Sequence, residues 1–555
     1  MPANALTSWM ALPTAHGYIP GTPFFGATAM IHARSPALGL LFSGACLLAA
    51  APGAQATDPR PERSFATSET FEASEIAAYT GDHAEVHARI DADLDAHVAH
   101  LQRWLRQRSI SAQDDGIADM AQLLADDLRE LGFQEVAQVA TPGHPGVLGY
   151  YDAGAQRTLV VYMMYDVQPI EPNWRIDDPF AGELVEHELG TVLMARGATN
   201  QKGPQRAFLN AVDAIVKTHG TLPVNLYVVA EGEEELGSPN FGAVIEPWLG
   251  RLREADGAFF PMNIQNPAGD ATLNLGVKGI IYFELEARGG DWGGPATAEV
   301  HGSLKALVDS PALRLVQAIA SLTTPDGNTI LIPGYYEAVQ APSLAEQRLI
   351  NALAREPNDR QMQQALGVSR WIDGLEGREA LVRNLYDPTL NINGLWSGYT
   401  GEGVKTILPH VATAKMDSRL PPGLEPEDAF RLLREHLDAN GFQEIVIRPM
   451  SGYPAASTGV DEPLVQAAIS VFNKYGVTLR VAPWLAGSAP FYQFTRTLGL
   501  PFVFGGLGHG SGAHAPDEYM LLHPAEGVAA AALADIEKSY VDMLYALAAL
   551  AAPAD

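Results

Sequence analysis

The stretch VVYMMYDVQP, Val160 to Pro169, reads as a buried strand that runs into a turn ending in Asp-Val-Gln-Pro. The end of such a strand is where α/β enzymes place their working groups. Working outward, TLVVYMMYD is followed by the helical pattern GPQRAFLNAVDAIVKTHG, which stops at Gly220. A second buried run, VNLYVVAEGEEE, then ends in acids. Upstream, from about Val86 to Leu131, apolar residues such as Leu101, Trp104 and Leu105 recur at helical spacing. Strands alternating with helices predict βαβ units and an α/β fold built on a mostly parallel sheet.

A second texture begins near Gly279. GIIYFELEARGG alternates like a half-exposed strand, SPALRLVQAIASL reads as a helix, ATAKMDSRL as a strand and EPEDAFRLLREHLDANG as a helix. That order predicts a small α+β two-layer domain inserted in the first, with a polar, helix-rich stretch at 340–390 between its halves. The βα texture returns from about Tyr453. The expected organisation is a signal or leader over 1–56, a flexible leader over 57–84, a catalytic domain over 85–278 and 452–555, and a lid domain over 279–451.

The chain has 555 residues, 47% hydrophobic and 18% charged, which is globular composition long enough for more than one domain. A formal net charge of −29 repels nucleic acid and anionic membrane, so both are excluded as partners. MIHARSPALGLLFSGACLLAAAPGAQA has a basic start at Arg34, an apolar run from Ala37 to Ala51 and a small-x-small end at Ala54–Ala56. This is the layout of a secretory signal, and its apolar run is too short to span a bilayer. It predicts an exported protein, periplasmic or secreted, with Met1 and Met30 both open as start. Cys46, the one cysteine, falls inside the segment to be removed.

Three motifs carry chemistry. EGEEELGS, Glu231 to Ser238, sets adjacent acids at a strand end, where they repel one another unless cations, donors or protons offset them. MARGATNQKGPQ, Met194 to Gln205, is a glycine-containing strand-to-helix turn. GLGHGSGAHAPDEY, Gly506 to Tyr519, brings two histidines into a loop beside Pro-Asp-Glu.

Taken in order, YDVQP, DPF, RGATNQKGP, EGEEELGS, GSAP and HAPDE resemble the dinuclear zinc amidohydrolases and peptidases of the aminoacylase, carnosine dipeptidase and carboxypeptidase G type, family twenty of the MH clan. The resemblance runs from about Val86 to the C-terminus and includes NINGLWSGYTGEGVKTILPHVATAKMDSRLPPG. It implies a zinc-peptidase-like α/β domain interrupted by a lid, which in this family often forms a homodimer.

The family holds two zinc ions with a histidine, a bridging aspartate, a glutamate, a second aspartate and a second histidine. Carried over singly, the first histidine falls on Met164, the bridge on Asn200, the glutamate on Glu235, the second aspartate on Met262 (Asn263 with a one-residue shift) and the last histidine on His514. Zinc needs anionic or imidazole donors, a thioether suits copper(I), and closely spaced ions need a bridging anion. The expectation is no dinuclear zinc and no required cofactor. At most one weakly bound divalent ion would remain on Glu235 and His514, aided by His509. Met164 would then rest as core, as Met163 does, sparing the protein a cluster of uncompensated buried charge.

The rest of the family site is kept. By resemblance Glu234 is the general base, Asp166 the aspartate that orients the site, and His301 the lid histidine that stabilises the oxyanion. Arg419, Gly487 and Ser488 hold the substrate's carboxylate, with Asn200 as a further substrate contact, and Lys278–Gly279 stands where Arg-Gly is common. Losses confined to metal positions favour an enzyme with altered chemistry. Glu234, with a raised pKa, would act as general acid and base on an amide or carbonyl of a small carboxylate-bearing amino-acid or peptide derivative. Cyclisation, acyl transfer and amide hydrolysis all stay open. So do a zinc-dependent dipeptidase or N-acyl amino acid hydrolase with an atypical metal site, and a non-catalytic carboxylate-binding protein.

Overall fold

The computed structural model describes residues 59–61 and 63–550. The segment expected to be a secretory signal, Cys46 and both candidate starts lie outside the described residues.

The central sheet has six strands. Their order is Glu135–Val139, Gly146–Tyr151, Asn225–Glu231, Thr158–Met164, Gly257–Pro261 and Phe502–Gly505. The last four run parallel, and the first two form an antiparallel ribbon on the edge. Thr158–Met164 is buried along nearly its whole length, as a strand covered on both faces must be. Consecutive side chains of a strand point to opposite faces. Met163 therefore enters the core shared with helices Ala84–Arg106, Lys202–His219 and Leu533–Ala548, while Met164 enters a cluster rich in aromatic rings on the other face. Register sets Met164 beside Glu231, so the end of the MM run and the start of the acidic turn share one edge of the sheet.

A four-stranded antiparallel sheet flanks this body, in the order Gly510–Ser511, Tyr519–Pro524, Gly190–Met194 and Glu183–His187. The sequence reading did not foresee it. Its hairpin 512–518 carries His514.

The inserted domain is a four-stranded antiparallel sheet, Asn391–Ser397, Val411–Leu420, Gly279–Arg288 and Val446–Tyr453, with its own core. Helices Pro311–Ser321 and Pro426–Ala439 cover one face. Gly279–Arg288 alternates between buried and half-exposed positions, the pattern of a strand with one wet face. Both helices begin with Pro at the first position, where a missing N–H costs nothing.

Two segments behave differently from expectation. The helices of 340–390 dock away from the lid sheet. Leu344–Leu353 and Gly377–Tyr386 pack through Ile350, Val382 and Tyr386 onto Ala455 and Trp484 of the main body. Trp484 donates its indole N–H to Glu346 at 2.7 Å. Residues 63–83, expected as a flexible leader, are tied along the surface: Phe71 N–H donates to Arg348 O at 3.2 Å, and Asn473 donates to the carbonyls of Ala73 and Ile76 at 2.8 and 2.7 Å. Among the described residues no helix is long and apolar enough to cross a membrane.

Candidate active site

The acidic turn is built from inside. Asp166 is fully buried, and its carboxylate accepts the backbone N–H groups of Glu234 at 3.1 Å and Glu235 at 3.0 Å. One residue after the strand thus fixes the path of the next strand's exit. Burial, and then the nearby Glu235, push the Asp166 carboxyl up to about 7. Glu231, 2% exposed, accepts hydrogen bonds from Tyr162 Oη at 2.7 Å and Ser238 Oγ at 2.8 Å. Burial, chiefly, pushes it up to about 8. Glu234 is held well above the ordinary carboxylate range by desolvation first, then by Glu235, Asp166 and Glu231. Burial and mutual repulsion thus raise the proton affinity of all three carboxyls.

Glu235 has a different environment. Asn200 Nδ2 donates to its Oε1 at 2.6 Å and Gln168 Nε2 to its Oε2 at 2.8 Å. His514 Nε2 lies 3.2 Å from the same Oε2 and 3.0 Å from Asn200 Nδ2. The pairing with Glu235 raises the His514 pKa. Asn200 is held by its own loop: Glu518, fully buried, accepts the N–H groups of Gly197, Thr199 and Asn200 at 2.9–3.0 Å and ion-pairs with Arg196 at 2.9 Å. The amide of Asn200 therefore stands where the bridging anion would be, with its donor face toward Glu235.

The remaining positions implied as ligands follow suit. Met164 is 2% exposed in the aromatic-rich cluster, and Met262 packs against that cluster. Asn263 donates to Thr199 Oγ1 at 3.3 Å. His509 commits both ring nitrogens, one to Gln265 O at 2.9 Å and the other to Tyr519 Oη at 3.1 Å, so it is a fixed structural histidine and no aid to an ion. Among the described residues no group of three or more His, Cys, Asp or Glu side chains is placed to hold a metal ion. Zinc binds through lone pairs, and here N–H donors face both oxygens of the one carboxylate that remains. The donor set does not fit the dinuclear zinc centre that the resemblance implied.

Arg419, on the lid strand Val411–Leu420, keeps its Nε 3.5 Å from Asp417. Its backbone is clasped by Thr389: Arg419 N–H donates to Thr389 Oγ1 at 3.1 Å, and Thr389 N–H to Arg419 O at 3.2 Å. Gly487 O accepts from Lys278 N–H at 3.0 Å, and Ser488 Oγ donates to Gly279 O at 3.0 Å, bolting the Gly-Ser turn to the domain junction. Among the described residues, the N–H groups of Gly487 and Ser488 donate to no acceptor within the chain.

Two tyrosines feel the charge of both Glu234 and Arg419. Tyr453 is raised by burial and then by Glu234, with Arg419 opposing. Tyr282 is raised by burial, with Arg419 opposing and Asp417 and Glu234 adding. Sequence reasoning passed over both, since each sits in an ordinary strand. It also passed over Gln168, although that residue lies within the DVQP motif and its amide stands two places beyond Asp166. His301 is not brought in: it lies exposed on a two-residue strand, with Nδ1 2.7 Å from Ser303 Oγ.

Comparison with known proteins agrees with this architecture. The profile of "Peptidase family M20/M25/M40" matches residues 161–536. The chain is 28% identical over 365 residues to the Cys-Gly metallodipeptidase dug1 of Schizosaccharomyces pombe, covering 63% of this chain and 74% of that one. It is 26% identical over 421 residues to the Beta-Ala-His dipeptidase of Mus musculus, covering 70% and 81%. An M20 family metallo-carboxypeptidase from Sulfolobus solfataricus superposes with a TM-score of 0.71 at 32% identity, covering 81% of this chain and 98% of that one. With the motifs in order on an interrupted α/β body and the profile spanning most of the described chain, the protein belongs to peptidase family M20/M25/M40.

Proposed function

We propose that the chain is a peptidase- or aminoacylase-like enzyme acting at the amide or carbonyl of a small carboxylate-bearing amino-acid or peptide derivative, with Glu234 as a metal-independent general acid and base. The observation that carries this reading is the contrast between adjacent glutamates. Glu235 is capped by the amides of Asn200 and Gln168, while Glu234 has a high proton affinity and a backbone fixed by Asp166.

The substrate's carboxylate would meet the Arg419 guanidinium and the free N–H pair at Gly487–Ser488. In its ionised form Glu234 takes a proton from the attacking group, and the carboxylic acid so formed gives it to the leaving amine. A positioned carboxyl contributes roughly 10²–10⁴-fold. Hydrolysis of an unactivated amide asks for more, including a group that stabilises the oxyanion. Attack by the substrate's own amine, or acyl transfer between amines, asks less.

A second reading is favoured by the names of the relatives, which are metallodipeptidases: a zinc dipeptidase with an atypical ligand set. One experiment separates the two. On a panel of dipeptides and N-acyl amino acids, Glu234→Gln should lose about 10²–10⁴-fold in kcat. Chelator-treated wild type should keep its rate with under one zinc per chain. Loss of activity on chelation, restored by zinc, would establish the second reading.

We also propose a homodimer through the lid. The edge strand Asn391–Ser397 exposes Ile392, Leu395 and Trp396, and His301 lies exposed on the same inserted domain, open to a second copy. Export is proposed on residues 30–56 alone, and N-terminal sequencing of the mature protein tests it.

A further inference from the structure

A cavity of about 480 Å³ lies away from the acidic turn, between the 340–390 helices and the main body. That is the size of a small-molecule site, which typically runs about 300–1,000 Å³. Its wall is largely apolar, with Ile330, Leu353, Met362, Trp371, Leu375 and Leu381 contributing. Into this wall come two cations without counter-charges. Lys278, 1% exposed, donates from Nζ to two carbonyls, Asn384 O at 2.7 Å and Asp387 O at 2.8 Å. Arg480 donates to Leu353 O at 3.2 Å. Among the described residues neither cation has a carboxylate within ion-pair distance.

The acids of the same wall are already engaged. Asp387 pairs with Arg63 at 2.5 Å and Arg383 at 3.3 Å. Asp359 accepts from the indole of Trp371 and the N–H of Gly377. A buried ammonium that carbonyls solvate but no counter-ion neutralises is still costly, and an anion supplied from outside offsets that cost. Burial, opposed by Asp387, pushes the Lys278 ammonium down to about 7, as expected of a cation lacking a full counter-charge.

We propose that this cavity is a second ligand site, for a carboxylate carrying an apolar tail, with the tail against the Trp371 wall and the carboxylate toward Lys278 and Arg480. The site does not depend on the chemistry at Glu234. It does touch the residues that hold the candidate substrate groups. Thr389, in its wall, clasps Arg419, and Lys278 and Ala486 adjoin the Gly487–Ser488 turn.

The test is calorimetric titration of the purified mature chain with decanoate. Saturable binding at one per chain is expected. Arg480→Gln, a neutral change at a half-buried position, should weaken it at least tenfold. Ala380→Trp, which fills the cavity from the helix Gly377–Tyr386, should abolish it while leaving the thermal melt intact. Glu234→Gln should bind decanoate as wild type does. Absence of saturable binding to wild type, or wild-type affinity in both Arg480→Gln and Ala380→Trp, overturns the site. Decanol binding as tightly as decanoate overturns the recognition of the anion.

Discussion

At the scale of single residues, the altered site is a matter of who donates to whom. Asn200 stabilises Glu235 by presenting N–H to a carboxylate. Asn200→Ala removes that donor. Asn200→Asp removes it and adds a like charge, so at pH 8 it should be the less stable of the two, by on the order of 1–3 kcal/mol in urea unfolding. Asn200→Asp as stable as wild type in chelated buffer would contradict the assigned donor. Glu231 offers a pH test. In the unfolded chain its carboxyl titrates near 4.5, and in the fold near 8. Between those values the folded chain binds more protons than the unfolded one, so this group's contribution falls as pH rises from about 4.5 and levels off above 8. Glu231→Gln still offers an oxygen to Tyr162 and Ser238 but cannot ionise. It should gain on the order of 3 kcal/mol over wild type at pH 8 and little at pH 5. Melts at the two pH values that move in parallel for both proteins would sink this assignment. The sequence displayed the clustered acids plainly. Which of them keeps a proton was not legible, because that depends first on how deeply each carboxyl is buried, and packing from other elements sets that depth.

At the scale of elements, patterning carried far. The strands ending at Met164 and Glu231 and the helix stopping at Gly220 follow from hydrophobic period and a left-handed glycine, and the structure has them there. The docking of the 340–390 helices was not legible, since an amphipathic helix states that it has a buried face and not what covers it. The loop 196–201 shows how one remote residue organises an element. Glu518 satisfies its N–H groups and pairs with Arg196, itself 1% exposed. Glu518→Ala leaves that guanidinium with one partner fewer and the loop unclamped. It should cost about 3–5 kcal/mol in urea unfolding, the scale of breaking a buried pair. It should also weaken the Asn200–Glu235 contact, seen as a change in the His514 titration by NMR. An unchanged midpoint with an unchanged His514 titration would mean that the loop is held elsewhere.

At the scale of the whole molecule, motif order and the interruption of one texture by another were legible because both are linear properties of the chain. How the lid meets a neighbour is not, and here its open, apolar edge strand supplies the argument. A sheet edge offers unpaired N–H and C=O groups, and proteins commonly blunt such edges with charge. The Asn391–Ser397 strand instead presents Ile392, Leu395 and Trp396, each near half exposed. Left open, that edge would be an aggregation hazard; paired with the same edge of a second copy related by a two-fold axis, it becomes an interface, with Leu395 on one face of the joined sheet and Trp396 on the other. The net charge of −29 opposes association at long range, so contact should tighten as salt screens it. Light scattering of the wild type at micromolar concentration and 0.15 M salt should therefore give twice the mature chain mass. Leu395→Glu with Trp396→Glu should give the chain mass with an unchanged melt. If His301 acts across that interface, the double variant and His301→Ala should lose turnover to a similar degree, and combining them should cost little more. A wild type that scatters as a single chain while turning over at full rate would remove both the dimer and the role given to His301.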